Sequence, residues 1–132
     1  MARATLFCDG GARGNPGPAG AGAVLKYNGK TYEMKEYLGE ATNNQAEYRA
    51  LIMGLRKAVE VGVQELDCYL DSELLVEQMN QRYKVKNQGL AVLFVRAWNL
   101  AAQLKKVTYR HVYRNQNQDA DRLVNEAIDE NI

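Results

Sequence analysis

The feature that most constrains the fold is a change in hydrophobic periodicity at Thr42. Before this residue, short apolar or alternating runs at 5–8, 21–27 and 30–38 predict strands rather than helices. The Asn28-Gly29 pair between the second and third runs is typical of a two-residue hairpin turn. The first third of the chain therefore predicts three antiparallel strands. The glycine- and proline-rich segment 9–20, between the first two runs, predicts a loop.

After Thr42, apolar residues recur mainly at helical spacing, and helices alternate with two more strands. The predicted order is a helix from Thr42 to Gly62, a strand at 65–70, a helix from the Asp71-Ser72 cap to about Asn80, a long helix at 90–104, a strand at 106–113 and a last helix capped by Asn117. Because parallel strands need long crossover connections, this order predicts an α/β fold in which helices pack on a mixed sheet.

The length and composition predict one domain over residues 1–132. A chain of 132 residues with 46% hydrophobic residues suits a single core and leaves no room for a second one. Charged residues make up 25% of the chain and the net charge is +1, which argues against disorder and against a basic nucleic-acid-binding arm. Local clusters of charge would therefore have to hold any polyanionic partner.

Nothing in the sequence indicates a membrane or secretory segment. The longest apolar stretch, 90–95, is too short to span a bilayer, and the N-terminus has no signal-peptide core. We therefore expect a cytoplasmic monomer with no membrane partner. Cys8 and Cys68 lie in apolar runs without metal-binding spacing, so we expect both to be reduced core thiols.

Carboxylates stand where the predicted strands end and where two of the predicted helices begin. Asp9 and Asp71 each follow a strand, so they would share one edge of the sheet if those strands are parallel neighbours. Glu47 and Asp121 lie in the first turns of their helices. Each residue taken alone is more often a cap, a turn residue or a solvated side chain. Together they would repel one another unless protons or a divalent cation neutralise them, and such oxygen ligands favour magnesium or manganese over zinc.

A helical wheel does not separate Asp121 from its neighbour Asp119. Both residues lie about a quarter-turn from the centre of the apolar stripe of the last helix. Periodicity therefore leaves both as candidates for the fourth acidic position.

Four segments in order resemble the successive motifs of type 1 ribonuclease H. They are Asp9-Gly10-Gly11 with Gly14-Asn15-Pro16-Gly17, the run from Thr42 to Tyr48, Tyr69-Leu70-Asp71-Ser72, and the segment 111–123. The resemblance covers nearly the whole chain. It implies the ribonuclease H-like fold, with a five-stranded mixed sheet, its first three strands antiparallel, and helices on both faces.

The resemblance also implies an activity. Members of that family are endonucleases that hydrolyse the RNA strand of an RNA/DNA hybrid and leave 5′-phosphate and 3′-hydroxyl ends. Two Mg²⁺ ions, which Mn²⁺ can replace, flank the scissile phosphate in such a site. By the family's motifs, the metal ligands and catalytic residues would be Asp9, Glu47, Asp71 and Asp121. Asp121 is preferred to Asp119 because it follows a small residue and precedes Leu123 by two positions, as in the family motif.

The same resemblance implies the residues that bind the hybrid. These are Gly10, Asn15, Thr42, Asn43, Asn44 and Gln45, whose backbone and amide groups would contact 2′-hydroxyls and phosphates. The row of amides at 43–44 could also serve simply as a helix cap. A histidine near the last carboxylate helps product and metal leave in this family. His111 matches that motif, but Arg114 lies nearer the mobile segment, and both stay candidates for a catalytic role.

One departure from the larger family members concerns the connector at 81–89. A basic helix with an aromatic-rich loop fills this space in those relatives, whereas here only Arg82, Tyr83, Lys84 and Lys86 remain. These groups either contact the substrate or form a solvated connector. Fewer phosphate contacts predict weak hybrid binding that fades with added salt.

Three other functions fit parts of the sequence. A non-catalytic hybrid-binding module would keep the amides and lose carboxylates, but all four carboxylates are present. Another metal nuclease of this fold would not need the Thr42-Asn43-Asn44 group. A plain α/β domain would leave the ordered motifs to coincidence.

Overall fold

The computed structural model describes residues 3–132, and its centre is a single five-stranded sheet. The strands are β1 (Arg3–Ala12), β2 (Gly17–Tyr27), β3 (Lys30–Ala41), β4 (Glu65–Leu70) and β5 (Lys106–His111). Their spatial order is β3-β2-β1-β4-β5. The first three strands pair antiparallel, whereas β4 runs parallel to both β1 and β5. The predicted mixed sheet is confirmed.

Helices cover both faces of this sheet. They are α1 (Asn43–Glu60), α2 (Glu73–Met79), α3 (Gln88–Ala101) and α4 (Gln118–Asp129), and a short 3-10 turn spans Arg114–Gln116. On one face, Leu6 and Cys8 of β1 join the main core with α1, α2 and α3. On the other face, α4 packs over β1, β2 and β3. Successive strand residues point to opposite faces, so residues 7 and 9 of β1 face the α4 side.

The predicted loop at 9–20 is mostly strand, which corrects the sequence interpretation. β1 continues to Ala12 and β2 begins at Gly17, so only residues 13–16 connect the two strands. Gly14 has a positive φ in the 13–16 connection, whereas Gly20 and the next-but-one residue Gly22 make room for α4. A Cβ atom on Gly22 would lie 2.4 Å from the carbonyl oxygen of Ala120, and one on Gly20 would lie 2.8 Å from that of Val124.

Three element boundaries also differ from the prediction. β5 ends at His111 rather than at 113, because the chain turns toward the 3-10 segment. α3 ends at Ala101, although Leu104 beyond it still packs into the core. Asn117 precedes α4, but its side chain does not cap that helix. Its side-chain amide donates instead to the buried carbonyl of Cys8 in β1.

The two cysteines are free and buried, as expected. Burial raises the pKa of both thiols, which keeps them protonated and unreactive. Among residues 3–132, no helix has both the length and the apolar character needed to cross a membrane.

Candidate active site

Three carboxylates from three different elements meet at one edge of the sheet. Asp9 lies in the last part of β1, Asp71 directly follows the parallel neighbour β4, and Glu47 comes from the first turns of α1. One oxygen of each lies within 4.8 Å of the other two. Asp9 and Glu47 are buried, with 3% and 8% of their surface exposed, and Asp71 is half-buried. The structure therefore brings together acidic groups that are far apart in the sequence.

Two carboxyl groups of this cluster hold their protons tightly. Burial, followed by the charge of Asp71, raises the pKa of Asp9 to about 8. Burial also raises the pKa of Glu47 well above its ordinary value, and the charges of Asp9 and Asp71 add to the effect. Like charges in a dry site cannot all ionise without a counterion. A divalent cation bound between these oxygens would relieve the repulsion.

Glu47 is held by an unusually close approach of β1 to α1. A Cβ atom on Gly10 would lie 2.2 Å from the backbone carbonyl of Ala46, so only glycine fits there. The amide of Gly10 donates a 2.9 Å hydrogen bond to Oε1 of Glu47. The other carboxylate oxygen, Oε2, is buried and has no hydrogen-bond partner among the described residues. Glu47 therefore keeps one oxygen free for a ligand.

Asp121 enters the same cleft from the first turn of α4. It lies close enough to Asp9 to contribute to the raised pKa of that residue, although it is outside the 4.8 Å group. Asp119 is exposed and does not line this cleft. The position of Asp121 thus agrees with the family motif, which periodicity alone could not decide.

Asn117 links the strand that carries Asp9 to the helix that carries Asp121. Its side-chain nitrogen donates to the carbonyl of Cys8 at 2.7 Å, and its own carbonyl accepts from the amide of Asp121 at 3.1 Å. Sequence reasoning missed this link because an asparagine just before a helix normally indicates a cap. No local pattern distinguishes the two roles.

Most of the predicted substrate-binding amides are engaged with the protein itself. Thr42 and Gln45 form a reciprocal capping box that starts α1. Oδ1 of Asn15 accepts from the amide of Asn43, and Oδ1 of Asn43 accepts from the amide of Ala12. These bonds fasten the 13–16 connection to the start of α1.

Asn44 differs from its neighbours. Its side chain is exposed, lines the cleft and makes no hydrogen bond within residues 3–132. Of the amide row, Asn44 is therefore the side chain most available to a ligand.

His111 and Arg114 also line the cleft, which encloses about 580 Å³. Both are exposed, and neither forms an ion pair within the described part of the chain. Arg13 also lines the cleft and binds Asp129 at 2.6 Å. The sequence analysis did not single out Arg13, although its place in the glycine-rich segment could have suggested it.

Comparisons with known proteins agree on one family. The profile of a family described as reverse transcriptase-like matches residues 7–127. The crystal structure of RNase H1 from Halobacterium salinarum superposes with a TM-score of 0.92 and 38% identity, covering 97% of this chain and 98% of that one. The chain belongs to the type 1 ribonuclease H family.

Two further relatives of the ribonuclease H family are informative. LC11-RNase H1, solved in complex with an RNA/DNA hybrid, has a TM-score of 0.90 and 42% identity over 96% of this chain and 97% of that one. A curated bifunctional protein of Mycobacterium tuberculosis is 48% identical over 130 residues, which are 96% of this chain and 36% of that protein. The chain therefore spans little more than a third of the length of this curated relative.

The connector between α2 and α3 spans only residues 80–87. Arg82 forms a two-pronged ion pair with Glu77 at 2.7 and 2.8 Å, so its charge is already balanced. Tyr83, Lys84 and Lys86 are exposed. Of the two interpretations of this segment, substrate contact or solvated connector, the pairing of Arg82 supports the second for that residue.

Proposed function

We propose that this chain hydrolyses the RNA strand of RNA/DNA hybrids with the help of Mg²⁺ bound at the acidic cluster. The observation that carries the proposal is the convergence of Asp9, Glu47 and Asp71 beside the exposed amide of Asn44, in a chain of the ribonuclease H family. The hybrid bound in the LC11-RNase H1 structure supports the choice of substrate.

The donor set fits a hard divalent cation. All ligands are carboxylate oxygens, the buried Oε2 of Glu47 lacks a protein partner, and the pKa of Asp9 is raised to about 8. Magnesium prefers such oxygen ligands, and manganese accepts the same set. We propose that Asp9, Glu47, Asp71 and Asp121 are the ligands.

When bound, two Mg²⁺ ions would activate the attacking water and stabilise the departing 3′ oxygen, leaving 5′-phosphate and 3′-hydroxyl ends. The protein would supply the positions of the ligands. Gly10 would hold Glu47 through its amide, and Asn117 would set α4 against β1.

The recognition of the hybrid is assigned to the rim beside Glu47. We propose that Asn44 contacts the substrate with its free amide, while Asn15 and Asn43 contact the RNA minor groove. The amide of Asn43 donates to Asn15 and the amide of Ala12 donates to Asn43, which supports these positions. Thr42, Gln45 and the backbone of Gly10 would support these contacts at the start of α1. His111 or Arg114, which also line the cleft, would assist product release.

The direct test is a substrate panel. Labelled RNA/DNA hybrid, duplex RNA and duplex DNA are incubated with the protein in Mg²⁺, beside the Asp71→Asn variant. We expect cleavage of the RNA strand of the hybrid alone, and loss of that cleavage in the variant. Cleavage of duplex DNA alone, or equal activity in Asp71→Asn, would contradict the proposal.

A matched pair of variants tests the fourth ligand. Asp121→Asn should abolish cleavage, whereas Asp119→Asn, two residues away on the exposed side, should retain it. Equal effects of the two substitutions would remove Asp121 from the site. Titration of each variant with Mn²⁺, followed by thermal unfolding, reports ligand loss independently of activity.

A further inference from the structure

The face of the sheet that carries α4 is only partly covered by that helix. The first turn of α4 lies over Gly22, so the parts of β1, β4 and β5 that precede the catalytic edge stay accessible. The side chains on this part of the face include Arg3, Phe7, Asp67, Tyr69, Thr108 and Arg110. Each of them is exposed or half-buried.

Two aromatic rings lie side by side at the centre of this open face. Phe7 of β1 and Tyr69 of β4 are register partners on adjacent strands. Their ring centroids are 4.8 Å apart and the planes differ by 17°, so the rings are stacked. Both residues are half-buried, which leaves ring surface available to a ligand.

Three cations lie on the same face of the sheet as the two rings. Arg110 is the register partner of Tyr69 on the edge strand β5, Lys106 lies on the same strand, and Lys26 lies on β2 beside Phe7 in a small cleft. None of these three forms an ion pair within residues 3–132. Two carboxylates of this face, Glu65 and Asp67, are bound by Arg3 at 3.4 and 2.7 Å, and Asp119 of α4 lines the small cleft beside Lys26.

We propose that Phe7, Tyr69, Lys26, Lys106 and Arg110 form a sheet platform that binds single-stranded nucleic acid. Aromatic residues on the central strands of an open sheet are a known solution for stacking unpaired bases, and nearby cations then contact the phosphates. A duplex cannot use the rings, because its bases already stack on one another. An acidic peptide would form ion pairs with the cations but would not need the stacked aromatic pair.

The platform is continuous with the candidate active site. Phe7 is two residues before Asp9 on the same face of β1, a distance of roughly 7 Å along the strand. This inference rests on the proposed function, since a hybrid with an unpaired overhang would present a single strand near the platform. The bound strand would raise the local concentration of substrate without any new contact to the acidic cluster.

The test measures single-strand binding apart from catalysis. Labelled single strands of RNA and DNA of ~12 nucleotides are titrated into the full chain carrying Asp71→Asn, in buffer without divalent ions, and followed by fluorescence anisotropy. Tyr69→Leu in this background should weaken binding of both strands about tenfold, because one stacked base is lost. Arg110→Gln should weaken it about threefold and reduce the dependence on salt.

Two controls match these substitutions on other surfaces. Trp98→Leu removes an aromatic residue of α3 that is 40% exposed, and Arg56→Gln removes an exposed cation of α1. Both should bind single strands like the parent. Thermal unfolding establishes that each variant is folded. If Tyr69→Leu does not fold, Arg110→Gln still tests the platform, because Arg110 is exposed and its replacement should not disturb the fold.

Several outcomes would overturn the platform. The first is that neither single strand binds, and the second is that Tyr69→Leu and Trp98→Leu weaken binding equally. The third is that duplex RNA binds as tightly as the single strands. The fourth is that polyglutamate competes as strongly as unlabelled single strands. The cleavage assay with the parent protein is separate. If the protein binds single strands but does not cleave the hybrid, only the proposed function is defeated. If it cleaves the hybrid and the Tyr69→Leu variant binds single strands as tightly as the parent, only the platform is defeated.

Discussion

The buried wall of the cleft and its exposed rim are built in opposite ways. On the buried wall, Asp9 and Glu47 are shielded from solvent, and the amide of Gly10 holds Glu47 in place. On the exposed rim, Asn44, His111 and Arg114 are exposed, and their side chains form no hydrogen bond or ion pair with another side chain among residues 3–132. Charged groups that are fixed and shielded from water interact strongly with a ligand, and small changes in their position are costly. Solvated side chains interact more weakly and can change conformation at small cost.

This contrast separates stability from recognition within one site. The buried wall concentrates carboxyl groups whose ionisation would lower the folding stability, and a bound metal ion would offset that cost. The rim contributes little to folding and is free to follow the substrate. Substitutions in the wall should therefore change stability and activity together, and substitutions in the rim should change binding or turnover alone.

The largest effect is expected from Gly10→Ala. The added Cβ atom would lie 2.2 Å from the backbone of Ala46, so β1 and α1 must move apart and Glu47 must shift. We expect the free energy of unfolding to fall by about 3 kcal/mol, measured by urea denaturation. Gly11→Ala is the control, because its Cβ atom would meet only Val124 Cγ1 at 3.8 Å. Equal losses in the two variants would show that the close approach is unimportant.

Asp9→Asn should stabilise the metal-free protein at high pH. The folded protein keeps the Asp9 proton until a pKa of about 8, above the ordinary value of 3.8, so wild-type stability falls as pH rises between these values. We expect Asn to raise the free energy of unfolding at alkaline pH by ~2 kcal/mol. The gain should vanish at about pH 3, where Asp9 is protonated in the folded state and largely so in the unfolded chain, whose ordinary pKa is 3.8. Destabilisation at both pH values would contradict the strained cluster.

His111 and Arg114 can be separated by kinetics. Replacing whichever residue assists release by alanine should slow multiple-turnover cleavage about tenfold, while single-turnover cleavage keeps its rate, since only product departure is affected. Rapid-quench assays on His111→Ala and Arg114→Ala measure both rates. If both variants lose single-turnover activity, these residues act in the chemical step and the rim is not as adaptable as we describe.

The smallest effect is expected from Asn44→Ala. Loss of one exposed amide contact should weaken hybrid binding by ~1 kcal/mol, about fivefold, and leave stability and Mn²⁺ binding as in the parent. Calorimetric titration of hybrid and of metal provides both numbers. Asn99→Ala, an exposed asparagine of α3, is the control. Unchanged hybrid affinity in Asn44→Ala would remove this residue from the recognition rim.

Much of the architecture followed from patterns in the sequence. The change from strand to helical periodicity at Thr42 predicted α1, and the capping box there confirms its start. The parallel placement of β1 and β4 was expected to bring Asp9 and Asp71 to one edge, and it does. The cytoplasmic location and the monomeric state stay predictions.

The errors share one cause. Segment 9–20 was predicted as a loop because glycine and proline usually break strands, but 9–12 lie in β1 and 17–20 lie in β2. Gly10 there approaches α1 closely and Gly20 approaches α4 closely. Asn117 was predicted as a cap, but its amide reaches Cys8, which is 109 positions away in the chain. Local propensity cannot report which distant element will pack against a residue.

The sequence by itself determined the order of strands and helices, because periodicity and residue chemistry are local properties. It also identified the four carboxylates that could serve a metal site, although the choice of Asp121 over Asp119 needed the family motif. Only the tertiary structure decided that Glu47 is buried with one oxygen unpartnered, that Gly10 and Asn117 set the spacing of the acidic groups, and that Phe7 stacks on Tyr69. Burial, pKa and contact all depend on which surfaces meet after folding, and that is a property of the whole chain rather than of any segment.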